Sequence, residues 1–172
     1  CAMNSPIILI GPMGAGKSSI GKRLAKRLSL PYRDTDQLVE ERTGVPITTI
    51  FELEGEQGFR QRENKVLAEL SSAPAAIIAT GGGIVVLEEN QKLLSANKHV
   101  IYLKASVNSQ FQRTRNDKKR PLLQTEDPLS RLQQLANQRN PIYQRLANIT
   151  INTDQQSMMC STDEIIQELG LH

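Results

Sequence analysis

The segment from Gly11 to Ser18 constrains the fold of this chain more than any other feature. It reads Gly-Pro-Met-Gly-Ala-Gly-Lys-Ser, a full match to the pattern G-x-x-x-x-G-K-[ST]. The β-branched run at 7–10 precedes it, and apolar residues at helical spacing follow it as far as Leu28. A glycine turn between a strand and a helix directs backbone N–H groups and the positive end of the helix dipole at phosphate. The segment therefore predicts a phosphate-binding loop rather than a flexible turn with a surface lysine.

The motif assigns separate tasks to the residues of this loop. Lys17 is expected to reach the β- and γ-phosphates of a nucleotide. The Ser18 hydroxyl is expected to bind Mg²⁺, because this hard cation prefers oxygen ligands and usually keeps several waters. The expected nucleotide contacts are Gly14, Ala15, Gly16, Lys17, Ser18 and Ser19. The chain is thus predicted to bind a nucleoside triphosphate together with magnesium.

Short apolar runs alternate with helical patterns along the chain, which predicts an α/β fold with a parallel sheet covered on both faces. Strands are expected at 7–10, 31–34, 75–79, 99–103 and 149–151, and helices at 18–28, 36–42, 46–53, 56–70, 129–138 and 162–171. A polar, basic stretch at 112–125 is predicted to be a loop or lid. No repeat or linker divides the 172 residues, so one domain is expected over 1–172.

The composition argues against several classes of protein. The net charge of +3 suits an anionic ligand, and 3% aromatic residues without Trp argue against a platform for single-stranded nucleic acid. Cys1 and Cys160 form neither a disulfide framework nor a zinc pattern. No apolar run approaches the roughly 18 residues of a membrane span, and the start lacks a basic-then-apolar secretory pattern. We therefore expect a cytoplasmic protein.

The sequence lacks the second motif that two other classes of phosphate-loop protein require. A G-domain GTPase requires Asn-Lys-x-Asp, but Asn97-Lys98 continues with His-Val. Motor-type ATPases carry an acidic residue at the end of a buried strand, whereas the strand expected at 75–79 is followed by Thr-Gly-Gly-Gly. The acidic residues stand instead at Asp34 and Asp36. Both classes are disfavoured.

The triplet Asp34-Thr35-Asp36 has two interpretations. It follows the second expected strand, where carboxyl ends of parallel strands open onto the ligand crevice. If the extended conformation persists, alternation points both carboxylates to one side, one toward metal-bound water and the other toward an acceptor hydroxyl. The triplet fits equally a helix N-cap followed by an acid in the first turn. The residues alone leave both interpretations open.

Further segments, all in one order, resemble the shikimate kinase family. They are Gly11 to Ser18, Asp34-Thr35-Asp36, Glu56-Gln57-Gly58-Phe59-Arg60, Gly81-Gly82-Gly83, Arg120-Pro121-Leu122-Leu123 and Arg139-Asn140-Pro141-Ile142-Tyr143. The resemblance extends nearly end to end. It implies ATP-dependent phosphorylation of the shikimate 3-hydroxyl to shikimate 3-phosphate and ADP, on the route to chorismate and the aromatic amino acids. It also implies a three-layer P-loop fold with strand order 2-3-1-4-5, a substrate-binding segment near 35–63 and a lid near 112–125.

The resemblance also implies roles for individual residues. The shikimate contacts it implies are Asp36, Arg60, Gly81, Gly82, Gly83 and Arg139, and it makes Asp34 a water-mediated Mg²⁺ contact. Asp36 would orient the 3-hydroxyl and accept its proton. A planar guanidinium can grip a carboxylate bidentately, which suits Arg60 and Arg139. Without the resemblance these arginines would read as ordinary helix-face cations and the glycines as an ordinary turn.

The basic stretch has three interpretations. Its cations are Arg113, Arg115, Lys118, Lys119 and Arg120. They would suit a phosphate-backbone patch for nucleic acid or a solvated loop. By resemblance they belong to the closing lid, where Arg120 joins Lys17 and Mg²⁺ in stabilising the transferring phosphoryl group. The resemblance also places Arg113 against the adenine and makes Gln156, in the loop 153–157, the expected base contact.

Other functions compete with this assignment. One is another small-metabolite kinase, acting on gluconate or a nucleoside monophosphate. Another is a binding module without catalysis, and a third is a nucleic-acid-binding protein built on the basic stretch. The paired arginines and triple glycine favour shikimate, and the complete set of parts favours an enzyme. We expect no nucleic-acid or membrane partner, and the family suggests a monomer.

Overall fold

The computed structural model describes residues 5–115 and 126–170, and its strands form one sheet. The strands are β1 (Ile7–Ile10), β2 (Tyr32–Asp34), β3 (Ile77–Ala79), β4 (Val100–Lys104) and β5 (Ile149–Asn152). Every neighbouring pair is parallel, and the order across the sheet is β2-β3-β1-β4-β5. The predicted five-stranded parallel sheet and its strand order are confirmed.

Helices connect consecutive strands, as parallel strands require. They are α1 (Lys17–Leu28), α2 (Thr35–Thr43), α3 (Ile47–Ser72), α4 (Glu88–Ser95), α5 (Val107–Thr114), α6 (Pro128–Leu146) and α7 (Met158–Glu168), with a 3₁₀ turn at Ile84–Val86. In the part of the chain that the structure describes, no helix is both long enough and apolar enough to cross a membrane.

The central strand β1 divides the core into two layers. All four of its residues are buried, and successive side chains point to opposite faces of the sheet. Ile8 and Ile10 pack with residues of α3, α4 and α6 on one face. Ile7 and Leu9 pack with residues of α1 and α7 on the other face. The result is the three-layer arrangement that the sequence predicts.

Helix α3 is interrupted where the sequence predicts a boundary between two helices. Gly55 has φ 74° and ψ 179°, which is not helical and lies in a region that almost only glycine adopts. The predicted helices at 46–53 and 56–70 therefore correspond to the two parts of α3.

Two helix boundaries differ from the prediction. Helix α6 was expected to end at residue 138 but continues through Pro141 to Leu146, because Tyr143 and Leu146 lie buried on its inner face. Helix α7 was expected to begin at residue 162 but begins at Met158. The Ser157 side chain caps it there by accepting a hydrogen bond from the Cys160 N–H at 3.1 Å.

Candidate active site

The phosphate-binding loop follows β1 and depends on backbone conformations that favour glycine. Gly11, Gly14 and Gly16 have φ values of 145°, 80° and 90°. A Cβ on Gly11 would overlap the backbone carbonyl of Leu103, and one on Gly14 would lie 3.0 Å from the Thr114 methyl group. Gly11 and Gly14 are therefore required for two reasons: the turn needs their backbone conformation, and β4 and α5 approach them too closely for a side chain.

The first turn of α1 lies directly at this loop. Gly16 is its N-cap, no side chain caps it, and its first turn has no acidic residue. The unsatisfied N–H groups and the helix dipole therefore favour an anion at this end. Lys17 is buried, and its Nζ donates to the carbonyl oxygens of Gly11 at 2.6 Å and Pro12 at 2.8 Å. These bonds hold the ammonium group against the loop.

A cavity of about 360 Å³ opens in front of the loop. It is lined by Gly14, Gly16, Lys17, Ser18, Ser19, Asp34, Asp36, Ala79, Thr80, Arg113, Thr114 and Met158. The structure thereby brings the loop, both acidic residues of the triplet and Arg113 together in one cavity. Its volume falls within the usual range of small-molecule sites.

Asp34 and Asp36 both line this cavity, but the backbone between them is not the continuous strand that side-chain alternation would require. The extended conformation ends at Asp34, and α2 begins at Thr35. Asp34 Oδ1 accepts hydrogen bonds from the N–H groups of Asp36 at 2.9 Å and Gln37 at 3.2 Å. The extended conformation therefore does not persist through the triplet, and the condition of the first interpretation is not met. Asp34 is the helix N-cap and also lines the cavity, so the two interpretations of the triplet are compatible.

The residues at the magnesium position fit that ion. Ser18 is exposed, Asp34 is half-buried, and both offer oxygen ligands to the cavity. Asp34 Oδ1 is used as a cap, whereas Oδ2 accepts a long hydrogen bond, of 3.4 Å, from the Tyr32 hydroxyl. Among the described residues, no group of three or more His, Cys, Asp or Glu residues could hold a metal. Few protein ligands suit Mg²⁺, which takes its remaining ligands from water and substrate phosphates.

Gly81 lies where the cavity meets a second group of charged residues. A Cβ on Gly81 would lie 2.7 Å from Asp36 Oδ1 and 2.8 Å from Glu63 Oε2, so a side chain here would have to displace these carboxylates. The buried Thr35 hydroxyl accepts a hydrogen bond from the Gly81 N–H at 3.1 Å. This N–H group is therefore engaged within the protein. Sequence reasoning missed Thr35 as the anchor of this loop.

The next two glycines each face a predicted arginine. A Cβ on Gly82 would lie 3.7 Å from Arg139 Nη1, and one on Gly83 would overlap the Arg60 guanidinium. Residues far apart in the sequence are thus brought together at the carboxyl end of β3. The absence of side chains at this turn leaves room for both guanidinium groups.

Arg60 is buried, with 7% of its surface exposed, and is paired within its own helix. Its Nη1 donates to Glu63 Oε1 at 3.0 Å and its Nη2 to Glu56 Oε1 at 3.4 Å. Glu63 is fully buried, and burial raises its pKa to about 7 although Arg60 acts in the opposite direction. The sequence analysis missed Glu63. Its spacing of three residues from Arg60 on a predicted helix is the signal that could have identified it.

Arg139 is buried more deeply and has no such partner. It is 4% exposed, and among the described residues no carboxylate forms an ion pair with it. Burial lowers the pKa of Arg139, and the nearby charge of Arg60 lowers it further. An arginine keeps its charge nonetheless, so two neighbouring cations lie buried with one fully buried carboxylate beside them. This arrangement favours an incoming anion.

Of the two residues predicted to contact the nucleotide base, one lines the cavity and the other does not. Arg113 lines the cavity, and its guanidinium donates to the carbonyl oxygens of Gly14 at 2.8 Å and Thr153 at 3.2 Å. Gln156 donates to the Asn152 carbonyl at 3.0 Å and is not among the residues that line the cavity. Met158, which the sequence analysis missed, lines the cavity instead.

The remaining predicted residues lie elsewhere in the chain. Ala15 is buried in the core, and Ser19 is exposed at the cavity. The predicted lid at 112–125 begins inside α5, which ends at Thr114. Its residues 116–125, with Lys118, Lys119 and Arg120, lie outside the described residues.

Comparison with known proteins decides the family. The family model described as shikimate kinase matches residues 13–170. The chain belongs to the shikimate kinase family. A shikimate kinase of Actinobacillus pleuropneumoniae serotype 5b (strain L20) is 51% identical over 161 residues, which cover 94% of this chain and 93% of that protein. The resemblance inferred from the motifs is confirmed.

Solved structures of this family agree with the fold. The shikimate kinase from Acinetobacter baumannii in complex with shikimate matches with a TM-score of 0.94 and 43% identity, over 97% of this chain and 93% of that chain. The shikimate kinase from Aquifex aeolicus vf5 matches with a TM-score of 0.83 and 32% identity, over 96% of both chains. The three-layer P-loop kinase fold expected from the sequence is thereby confirmed.

For a member of the shikimate kinase family, the geometry provides two adjoining sites. Asp36 lines the cavity at the phosphate-binding loop and also adjoins Gly81. The buried guanidinium groups of Arg60 and Arg139 adjoin Gly83 and Gly82 of the same turn. A phosphorylated donor and an anionic acceptor can therefore meet beside a carboxylate, which is the arrangement that phosphoryl transfer to a hydroxyl requires.

Proposed function

We propose that this protein transfers the γ-phosphoryl group of ATP to the 3-hydroxyl of shikimate, giving shikimate 3-phosphate and ADP for the synthesis of chorismate and the aromatic amino acids. The observation that carries this proposal is the buried Arg139, which has no ion pair among the described residues and lies beside Arg60 next to a phosphate-binding cavity. Shikimate carries one carboxylate, which a planar guanidinium can bind bidentately. A family member from Acinetobacter baumannii has been solved with shikimate.

The phosphate-binding loop positions the donor. Backbone N–H groups of the loop and the uncapped start of α1 bind the phosphates of ATP, and Lys17 places its charge against them. Ser18 would bind Mg²⁺ directly and Asp34 through water, and the bound ion supplies positive charge to the phosphate oxygens. These groups keep the donor in line with the acceptor and offset charge on the transferring group.

Asp36 acts on the acceptor. Its position beside Gly81 and at the edge of the cavity places a carboxylate between the two sites. The carboxylate orients the shikimate 3-hydroxyl and accepts its proton as the new oxygen–phosphorus bond forms and the bond from the γ-phosphorus to the β-phosphate oxygen breaks. Phosphoryl transfer needs little more than this from a side chain, because most of the catalysis comes from positioning the reactants.

Arg60 and Arg139 bind the shikimate carboxylate, and Gly82 and Gly83 let the ligand approach the backbone closely. Glu63 holds Arg60 through the 3.0 Å hydrogen bond within α3. The carboxylate of the acceptor thus supplies the ion-pair partner that Arg139 does not have among the described residues.

Further roles belong to this proposal through the family resemblance. Arg120 adds positive charge at the transferring phosphoryl group, Arg113 packs against the adenine, and Gln156 contributes to the base site. The residues 35–63 form the substrate-binding segment of a single domain. We propose that the protein works as a monomer in the cytoplasm, where ATP is supplied, without a nucleic-acid or membrane partner.

The test is ADP release by the purified protein from MgATP, with shikimate, gluconate and nucleoside monophosphates offered separately as acceptors. We expect release that depends on shikimate only. Release with another acceptor would keep the phosphate-binding site but contradict the roles of Arg60 and Arg139. No release with any acceptor, combined with normal MgATP binding, would indicate a binding module.

A further inference from the structure

Tyr143 is a buried residue of α6. Neither the sequence motifs nor the proposed reaction assigns it a role. It is 1% exposed and lies one helical turn after Arg139, on the same face of the helix. Its ring packs against that of Tyr102, with the centroids 5.1 Å apart. Most buried phenol hydroxyls form a hydrogen bond, and the position of the partner shows what the hydroxyl does.

The hydrogen-bond partner of the Tyr143 hydroxyl belongs to the acceptor pocket. It donates a hydrogen bond to the carbonyl oxygen of Gly82. The guanidinium of Arg139, one helical turn earlier, lies close enough to the Tyr143 side chain for the two to interact electrostatically. Burial raises the pKa of Tyr143, which keeps the proton on its oxygen and fixes this direction of donation.

The bond to Gly82 orients more than one atom. The Gly82 carbonyl and the Gly83 N–H belong to one planar peptide unit, so a fixed carbonyl also fixes the direction of that N–H. Gly83 lies directly against the guanidinium of Arg60. One hydroxyl therefore connects α6, which carries Arg139, with the turn that faces Arg60.

We propose that Tyr143 is a positioning residue for the acceptor, whose hydroxyl holds the Gly82–Gly83 peptide beside Arg139 and Arg60 in the geometry that receives shikimate. This inference rests on the proposed function, because shikimate is the ligand of that pocket. Tyr143 acts through the peptide. Its removal should therefore weaken acceptor binding and leave nucleotide binding, which uses the loop N–H groups and the start of α1, unchanged.

Tyr102 provides a matched control for this hydroxyl. Its ring is the one stacked against Tyr143, and it is also 1% exposed. Its hydroxyl, by contrast, is buried without a hydrogen-bond partner among the described residues. Tyr102→Phe and Tyr143→Phe thus each remove one buried oxygen from neighbouring rings, and only the second removes a bond to the acceptor pocket.

The experiment compares the wild type, Tyr143→Phe and Tyr102→Phe by steady-state kinetics, by calorimetric titration with shikimate and by thermal unfolding. For Tyr143→Phe we expect the KM and Kd for shikimate to rise about threefold to tenfold, the loss expected for one hydrogen bond, with the KM for MgATP unchanged. For Tyr102→Phe we expect both shikimate constants to stay at the wild-type values.

Three outcomes would overturn the inference. Equal shikimate constants in the two variants would show that the hydroxyl does not position the pocket. A lower thermal midpoint for Tyr143→Phe with unchanged shikimate constants would make its role structural only. A wild type that neither binds nor phosphorylates shikimate would overturn the proposed function together with this inference, whereas an active wild type with equal variants would overturn this inference alone.

Discussion

Asp36 stands between the nucleotide cavity and the acceptor pocket, so its carboxylate should govern turnover rather than nucleotide affinity. For Asp36→Asn we expect kcat to fall by about 100-fold or more, because an amide cannot accept the proton of the 3-hydroxyl. The Kd for MgADP should stay near the wild-type value. Asp163→Asn, a change at an exposed carboxylate, serves as the control. Unchanged turnover in Asp36→Asn would show that Asp36 is not a catalytic residue.

Arg139 should contribute the shape of its guanidinium as well as its charge. Arg139→Lys keeps the charge but loses the planar fork that binds a carboxylate through two parallel hydrogen bonds. We expect the KM for shikimate to rise by about 10- to 100-fold, with a much smaller change in the KM for MgATP. The matched control is Arg145→Lys, an exposed arginine on the same helix. A normal KM for shikimate in Arg139→Lys would place the carboxylate site elsewhere.

Glu63 should make stability depend on pH. Burial raises its pKa to about 7, so the native state binds this proton more tightly than the unfolded chain does. The stabilisation is fully present below the ordinary pKa of about 4.5 and is lost as the pH rises through about 7. We therefore expect the free energy of unfolding of the wild type to fall, relative to that of Glu63→Gln, between about pH 5 and about pH 8.

Urea denaturation of both proteins at the two pH values measures this difference, and groups common to both cancel. Glu52→Gln, at an exposed position of the same helix, is the control and should follow the wild type at both pH values. A constant difference between the wild type and Glu63→Gln would contradict the assignment.

At the scale of the element, Gly55 sets the break in α3, and Gly44 ends α2. Both have φ 74° and open space around the missing side chain, but ψ is 179° at Gly55 and 10° at Gly44. The second conformation is the left-handed one that Asn tolerates, whereas the first is almost restricted to glycine. Gly55→Asn should therefore lower the free energy of unfolding by about 1–3 kcal/mol, and Gly44→Asn by less than about 1 kcal/mol. Equal losses in chemical denaturation would show that ψ is not what distinguishes them.

Most elements could be predicted because their local signals agree with the tertiary contacts. The run at Ile7–Ile10 is β-branched and buried, and the glycines after it end the strand as expected. Helix α6 was predicted too short because Pro141 is ordinarily a helix breaker, and only the burial of Tyr143 and Leu146 shows why the helix continues. That burial depends on residues from other parts of the chain, so the local sequence could not reveal it.

The triplet at 34–36 illustrates the same limit. Its two local interpretations used different backbone conformations and were treated as alternatives. The structure combines them, since Asp34 caps α2 and still lines the cavity with Asp36. A cap brings the next residues into a helix immediately, and this turn directs the second carboxylate toward Gly81.

At the scale of the whole molecule, the acceptor pocket is assembled from α3, α6 and the turn after β3. Nothing in the spacing of Arg60, Gly83 and Arg139 along the chain predicts that they meet; the family resemblance supplied that expectation. Glu63, Thr35 and Tyr143 were missed because each acts by holding another group, through contacts that exist only after folding. Sequence reasoning thus identified the groups predicted to face ligands more readily than the groups that support them.

The measurement that tests the central claim most directly is identification of the product formed from MgATP and shikimate by phosphorus and proton nuclear magnetic resonance. The account predicts one new phosphate ester whose phosphorus couples to the proton on carbon 3 of shikimate, formed in an amount equal to the ADP released. A phosphate on another hydroxyl, or release of ADP with free inorganic phosphate and no ester, would contradict it.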